Sequence, residues 1–190
     1  HGHRVMAKKR GKRGENSYLN DFHPNLAGEY IYDGALYACQ SDPVTQKKSR
    51  RRLWGCTALL LLAALLSGSI PAPGMQNCFY VILPFLGELI AAVSVVWAVV
   101  KLGRDWSAVR EYVYERTVPA LPGRALCAAV FAAAGILCEL LYLALSGHGG
   151  QLFSALLFVM LKVLSLICAL TIRRKLKCLN WAKVPKCENQ

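Results

Sequence analysis

Residues 125–172 read ALCAAVFAAAGILCELLYLALSGHGGQLFSALLFVMLKVLSLICALTI, two apolar stretches joined by the short polar sequence SGHGG. Each stretch, Ala125–Ser146 and Gln151–Ile172, has the roughly 20 residues that an α-helix needs to cross about 30 Å of hydrocarbon. Because so few residues connect them, the two helices are predicted to form a tight antiparallel hairpin. This pair of stretches indicates a membrane protein.

Two further apolar stretches precede this pair, Leu53–Ile70 and Tyr80–Val100. The chain is 55% hydrophobic over 190 residues, and a soluble domain of this length has too small a core to bury that much apolar surface. The sequence therefore predicts an all-α integral membrane protein, a four-transmembrane-helix bundle made of two antiparallel helical hairpins. Its spans are about 53–70, 80–100, 125–146 and 151–172.

The basic residues predict how these spans are oriented. The chain contains 23 lysines and arginines. All except Lys162 lie in 1–52, 101–124 and 173–190, whereas the loops around Pro71–Asn77 and Ser146–Gly150 contain none. Cytoplasmic loops carry an excess of Lys and Arg. We therefore expect a multi-pass protein of the plasma or inner membrane with both termini in the cytoplasm.

The same division gives the expected domain organisation. Residues 1–5, before Met6, resemble the remnant of an expression tag. Residues 6–52 form a basic cytoplasmic N-terminal region, 53–172 a four-helix transmembrane domain, and 173–190 a basic cytoplasmic tail.

A small cytoplasmic β-hairpin is predicted near the N-terminus, at 28–39 (GEYIYDGALYAC). Asp-Gly favours the type I′ turn of a two-residue hairpin loop, because both central residues of that turn need a positive φ. Such a turn would pair Tyr32 with Ala35 and Tyr30 with Tyr37. A lone hairpin is marginally stable in water, so we expect the three tyrosines to contact a protein partner, the headgroup layer or the neighbouring cytoplasmic loop.

Basic residues crowd the end of the linker 41–52, which finishes in Arg50, Arg51 and Arg52. Near anionic lipid each such charge contributes about 1 kcal/mol, so these arginines are predicted to contact anionic headgroups. Their position beside a membrane helix explains them without a nucleic acid. In the middle loop, residues 106–117 are expected to form a short amphipathic helix at the interface, capped by Asp105.

Three ionisable residues fall at membrane depth: Glu88, Glu139 and Lys162. Charges there are costly and usually face the bundle interior and one another. A structural interpretation is a Glu139–Lys162 ion pair that orients the second hairpin, with Glu88 neutral or hydrated. A functional interpretation is an ion or proton site, because two carboxylates and one ammonium leave one charge uncompensated.

Catalytic motifs and metal motifs are absent from the sequence. It has no Walker loop, no His-Glu-x-x-His and no Gly-x-Ser-x-Gly, and no Cys-x-x-Cys among its eight cysteines. We therefore expect no enzyme, no metal and no cofactor. The favoured function is a structural or interaction protein that engages a cytoplasmic partner or anionic lipid. The alternative is an ion channel or proton-coupled transporter, which with only four spans would have to be a homo-oligomer.

Overall fold

The computed structural model describes residues 35–103, 106–146 and 152–184, together with the backbone of 22–24 and 30–32. The predicted tag remnant, the Asp33-Gly34 turn, the capping residue Asp105 and residues 147–151 of the second hairpin's connection lie outside the described residues.

Within the described residues, four helices are long and apolar enough to cross a membrane, which is the number that the sequence predicts. They are α1 (Pro43–Ser69), α3 (Phe79–Leu102), α5 (Leu121–Ser146) and α6 (Leu152–Lys177), and two short helices, α2 (Pro73–Asn77) and α4 (Glu111–Thr117), lie between them. Each long helix buries a stripe of its surface and leaves large apolar side chains exposed on the outside, for example Leu62, Ile90 and Leu137.

Helix α1 begins ten residues before the predicted span, so the prediction that 41–52 is a linker is wrong. Pro43 lies in the first turn, where proline's fixed φ suits a helix and its missing N–H costs nothing. Lys and Arg are good helix formers. The basic cluster is therefore a helical extension of the first span.

The long helices pack in the cyclic order α1, α3, α5, α6, each against two neighbours, so that α3 and α6 stand diagonally across the bundle. Small residues make the close approaches. Ala128 and Ala132 of α5 are fully buried, and Gly87 of α3 faces the ring of Phe131. Gly135 and Glu139, further along α5, are buried as well.

The two ends of the bundle differ. At one end, here called the connector end, residues 70–78 join α1 to α3 and carry α2. Ala72, Pro73 and Gly74 of this connection are buried, and α2 packs against α5. At the other end, here called the basic end, α1 and α5 begin and α3 and α6 finish.

A three-stranded antiparallel sheet, here called the cap sheet, covers the basic end. Its strands are β3 (Leu36–Cys39), β4 (Val109–Arg110) and β5 (Trp181–Val184), in the order β4-β3-β5. Cys39, Trp106 and Val109 belong to the same buried cluster as Leu53 of α1 and Leu176 of α6. The cap sheet is therefore continuous with the core of the bundle.

The predicted hairpin pairing within 28–39 is wrong. Strand β2 (Tyr30–Tyr32) pairs with β1 (Phe22–Pro24), with Tyr32 opposite Phe22, whereas β3 pairs with β4 and β5. An isolated hairpin is marginal in water, and β3 instead gains hydrogen bonds on both edges and a core to cover. A local turn signal was overridden by pairing between distant segments.

The middle loop also differs from its prediction. A strand at Val109–Arg110 and the helix α4 replace the expected single helix over 106–117. Trp106 is only 1% exposed, and its carbonyl accepts a hydrogen bond from the N–H of Cys39 at 3.0 Å. This connection is therefore folded into the cap sheet.

Candidate functional site

Glu88 of α3 and Lys162 of α6 form an ion pair across the middle of the bundle. The Nζ of Lys162 lies 2.5 Å from Oε2 of Glu88, and the hydroxyl of Ser165 donates to Oε1 of the same carboxylate. At 1.5 Å per residue, Glu88 lies about 14 Å along α3 and Lys162 about 15 Å along α6 from the connector end. The two side chains therefore meet at one level, from helices that stand diagonally.

Two aromatic rings lie close to the ammonium of Lys162. Its Nζ lies 4.8 Å from the ring centroid of Phe85 and 5.1 Å from that of Phe158, and aromatic faces attract a cation, more strongly when it is desolvated. Gly135 lies beside the aliphatic stem of Lys162, and a Cβ at this position would make an ordinary van der Waals contact with Cε, at 3.6 Å.

The predicted Glu139–Lys162 pair is wrong, because Lys162 binds Glu88. Glu139 instead accepts a hydrogen bond on Oε1 from the N–H of Gly74, at 3.4 Å. The hydrogen-bond partner of Glu139 therefore comes from the connection at the connector end, and not from α6 as predicted.

The two carboxylates consequently have different chemistry. Both oxygens of Glu88 accept hydrogen bonds, and its charge is balanced by Lys162. Glu139 is fully buried, yet its Oε2 has no hydrogen-bond partner in the part of the chain that the structure describes. An unpaired buried oxygen is costly, so Glu139 is the member of the predicted cluster with capacity left for a proton or a ligand.

The predicted lipid-contacting arginines lie on the basic end of α1. Arg51 and Arg52 are exposed and Arg50 is half-buried. Because α1 packs against α6, they lie beside the basic last turns of α6, where Arg174 and Lys177 are exposed. Basic residues from the two ends of the sequence thus share one surface.

The predicted tyrosine surface is divided. Tyr37 on β3 stacks on Tyr114 of α4, with ring centroids 4.1 Å apart and planes 3° from parallel. Tyr30 and Tyr32 lie on β2, in the other sheet. Of the three tyrosines predicted to contact a partner, only Tyr37 therefore belongs to the cap sheet.

Sequence reasoning missed an aromatic cluster beneath the cap sheet. Trp181 of β5 lies 5.8 Å from Trp106 and 5.7 Å from Tyr114, measured between ring centroids. The available signal was the presence of tryptophan in both the middle loop and the tail. The cluster joins the middle loop and the tail to β3.

Comparison with protein-family models, with curated proteins and with solved structures found no match.

Proposed function

We propose that this is a non-enzymatic, multi-pass membrane protein that presents a folded cytoplasmic surface, the cap sheet with the basic helix ends around it, to a protein partner. The observation that carries the proposal is the cap sheet itself. Strand β3, which precedes α1, pairs with a segment between α3 and α5 on one side and with a segment after α6 on the other. A bundle that only had to span a membrane would not need its cytoplasmic segments to be organised in this way.

Charge supports the orientation. The basic end carries Arg51, Arg52, Lys101 and Lys177, all exposed, whereas the connector end, residues 70–78, has no basic residue. Under the positive-inside rule the basic end faces the cytoplasm. The cap sheet then lies at the headgroup layer of the inner leaflet.

The edge strand of the cap sheet supports a peptide-like partner. Among the strands that the structure describes, β5 pairs with β3 alone and so lies at one edge of the sheet. The unpaired backbone groups along such an edge accept an added strand from an extended peptide. The side chain of Lys183, exposed on β5, marks this edge.

Site-specific photo-crosslinking tests the proposal. A photo-reactive residue at Lys183, in the full-length protein in its source cells, should give one defined protein adduct. The matched control is the same residue at Gln76, which is exposed at the connector end and should give no such adduct. Identical adducts from both positions, or no adduct from Lys183, would refute the proposal.

The unpaired oxygen of Glu139 is the observation that favours a second candidate, an oligomeric channel or proton-coupled transporter. Against it, Glu88 and Lys162 neutralise each other. Gradient-driven flux in liposomes decides between the two. Flux by the wild type that is lost in Glu139→Gln while the fold is retained would establish transport, and absence of flux in the wild type would remove this candidate.

A further inference from the structure

The carboxyl of Glu139 is covered by the connection that joins α1 to α3. Its Oε1 accepts the N–H of Gly74 at 3.4 Å, and a Cβ on Gly74 would collide with its Oε2. Ala72 and Gly74 are buried, and α2 packs against α5. The missing Cβ of Gly74 therefore allows the backbone of the connection to lie directly on the carboxyl.

The surroundings of Glu139 stabilise an anion poorly. The N–H of Gly74 is the single hydrogen-bond donor to this carboxyl among the described residues, and Oε2 has no partner there. A buried apolar cluster, which includes Val81 and Phe158, lies at this end of the bundle. A buried carboxylate without compensating bonds is so costly that the group takes up a proton instead.

No counter-charge is available to Glu139. Among the described residues in the half of the bundle nearer the connector end, the only cation on the elements packed against α5 is Lys162, which is paired with Glu88. Glu139 itself makes no ion pair with any described residue. A proton is therefore the ligand that fits this carboxyl, and it needs no further space. The remaining titratable side chains of this half, on α3, α5 and the connection, are thiols and phenols, namely Cys78, Tyr80, Cys138 and Tyr142.

The connection is also the element best able to move away from Glu139. Helices α3 and α6 pack against α5 as neighbours in the bundle, whereas α2 has only five residues. Local opening involves segments with few buried contacts, while long packed helices stay closed. Movement of residues 72–78 would bring water to the carboxyl and leave the four-helix bundle intact.

We propose that Glu139 is a proton-binding site closed by residues 72–78 of the connection. With the connection in place, the carboxyl holds its proton. When the connection moves away, the O–H bond breaks, the proton passes to water at the connector end, and the carboxylate is solvated. Since the closed form tolerates only the protonated carboxyl, opening and proton release are linked, and a higher pH favours the open form. The inference depends neither on a protein partner nor on transport, because exchange at one end moves no net charge across the membrane.

Infrared spectroscopy of the full-length protein in lipid vesicles tests the protonation. At neutral pH the wild type should show the C=O stretching band of a protonated carboxylic acid, to which exposed carboxyls do not contribute because they are ionised at that pH. Glu139→Gln should lack this band. The matched control is Glu115→Gln, which removes an exposed carboxyl on α4 and should keep the band.

Hydrogen–deuterium exchange tests the link to the connection. The measured quantity is the exchange rate of the amides of 70–78 in the wild type, divided by the rate in Glu139→Gln at the same pH, which cancels the pH dependence of chemical exchange. This ratio should rise at least about tenfold between about pH 5 and about pH 9, because fully linked opening gains about tenfold per pH unit. The amides of the cap sheet are the internal control, and their ratio should stay constant.

Two precautions keep the exchange experiment decisive. His148, in the connection between α5 and α6 and outside the described residues, is replaced by Gln in both proteins, because histidine titrates in this pH range. Glu139→Leu replaces the carboxyl with an apolar side chain of similar size. It should give the same rise in the ratio, and it serves as the reference if Glu139→Gln fails to fold.

Three results would overturn the proposal. A carboxylic-acid band that survives in Glu139→Gln, or is missing from the wild type, would mean that Glu139 does not hold the proton. A ratio for 70–78 that does not change with pH would mean that ionisation does not open the connection. An equal rise at the cap sheet would mean that the whole fold loosens with pH.

Discussion

Lys162 on α6 is paired with Glu88 on α3 across the diagonal of the bundle, and Glu139 on the neighbouring helix α5 is not its partner. The pair links two helices that stand diagonally in the bundle and are not neighbours in its cyclic order. It joins the first hairpin to the second, so its proposed role is to fix how the two hairpins assemble.

The first prediction is that Lys162→Met strongly destabilises the bundle. It leaves the buried carboxylate of Glu88 without a counter-charge, and breaking a buried pair in this way costs about 3 kcal/mol or more. Glu88→Gln in the same background removes the stranded charge and should recover most of the loss. The measurement is the free energy of unfolding in detergent micelles, by denaturant titration.

The control for that experiment is Glu139→Gln in the Lys162→Met background. Glu139 does not contact the ammonium, so the two free-energy changes should add within about 0.5 kcal/mol. If the coupling appears with Glu139 and not with Glu88, the ion pair described here is wrong.

The sequence predicted that the three charges at membrane depth are buried, but it did not predict which of them form a pair. Counting residues placed Glu88, Glu139 and Lys162 at similar depths, and the structure buries all three. Depth along a helix follows from the rise per residue, whereas the direction in which a side chain points across a bundle depends on helix packing. The backbone N–H that binds Glu139 comes from the connection at 70–78, which a count along helices does not consider.

The second prediction concerns Gly74, whose missing Cβ leaves room for the carboxylate of Glu139. A Cβ at this position would collide with Oε2 of Glu139. Gly74→Ala should therefore overpack the connector end and lower the free energy of unfolding by about 1–3 kcal/mol. The control is Gly55→Ala on α1, where a Cβ meets nothing within 4 Å.

Alanine at Gly55 should be neutral or stabilising by up to about 1 kcal/mol, because alanine favours helix over glycine. Replacing Glu139 with alanine in the Gly74→Ala background removes the collision. If the double variant is no more stable than Gly74→Ala, the contact between the connector and α5 is not the cause of the loss.

The third prediction tests the packing of α3 on α5. A Cβ on Gly87 would lie 2.6 Å from Cε1 of Phe131, far inside van der Waals contact. Gly87→Ala should lower the thermal unfolding midpoint, and Phe131→Leu in the same background should restore part of it, because leucine lacks the colliding ring edge. Equal midpoints for Gly87→Ala and wild type would contradict this packing.

The cap sheet shows a second limit of sequence reasoning. Its three strands lie far apart in the chain, at 36–39, 109–110 and 181–184. A two-residue strand has no readable periodicity, and pairing between distant segments leaves no local signal. Asp33-Gly34 did carry a local turn signal, but the hairpin that it predicted between Tyr30–Tyr32 and Ala35–Tyr37 is not formed. Strand β2 pairs with β1 instead, and β3 pairs with β4 and β5.

The fourth prediction is a measurable coupling between Tyr37 and Tyr114 across the cap sheet. Their rings stack at 4.1 Å, and aromatic pairs contribute about 0.5–1.5 kcal/mol beyond the area they bury. The free energies of unfolding of Tyr37→Leu, Tyr114→Leu and the double variant should therefore be non-additive by about that amount.

Tyr142, near the far end of α5, is the control partner for Tyr37, and that pair should be additive within about 0.5 kcal/mol. Additivity of Tyr37 with Tyr114 as well would mean that β3 and α4 do not pack as described, and that the cytoplasmic surface proposed to bind a partner is not held in this form.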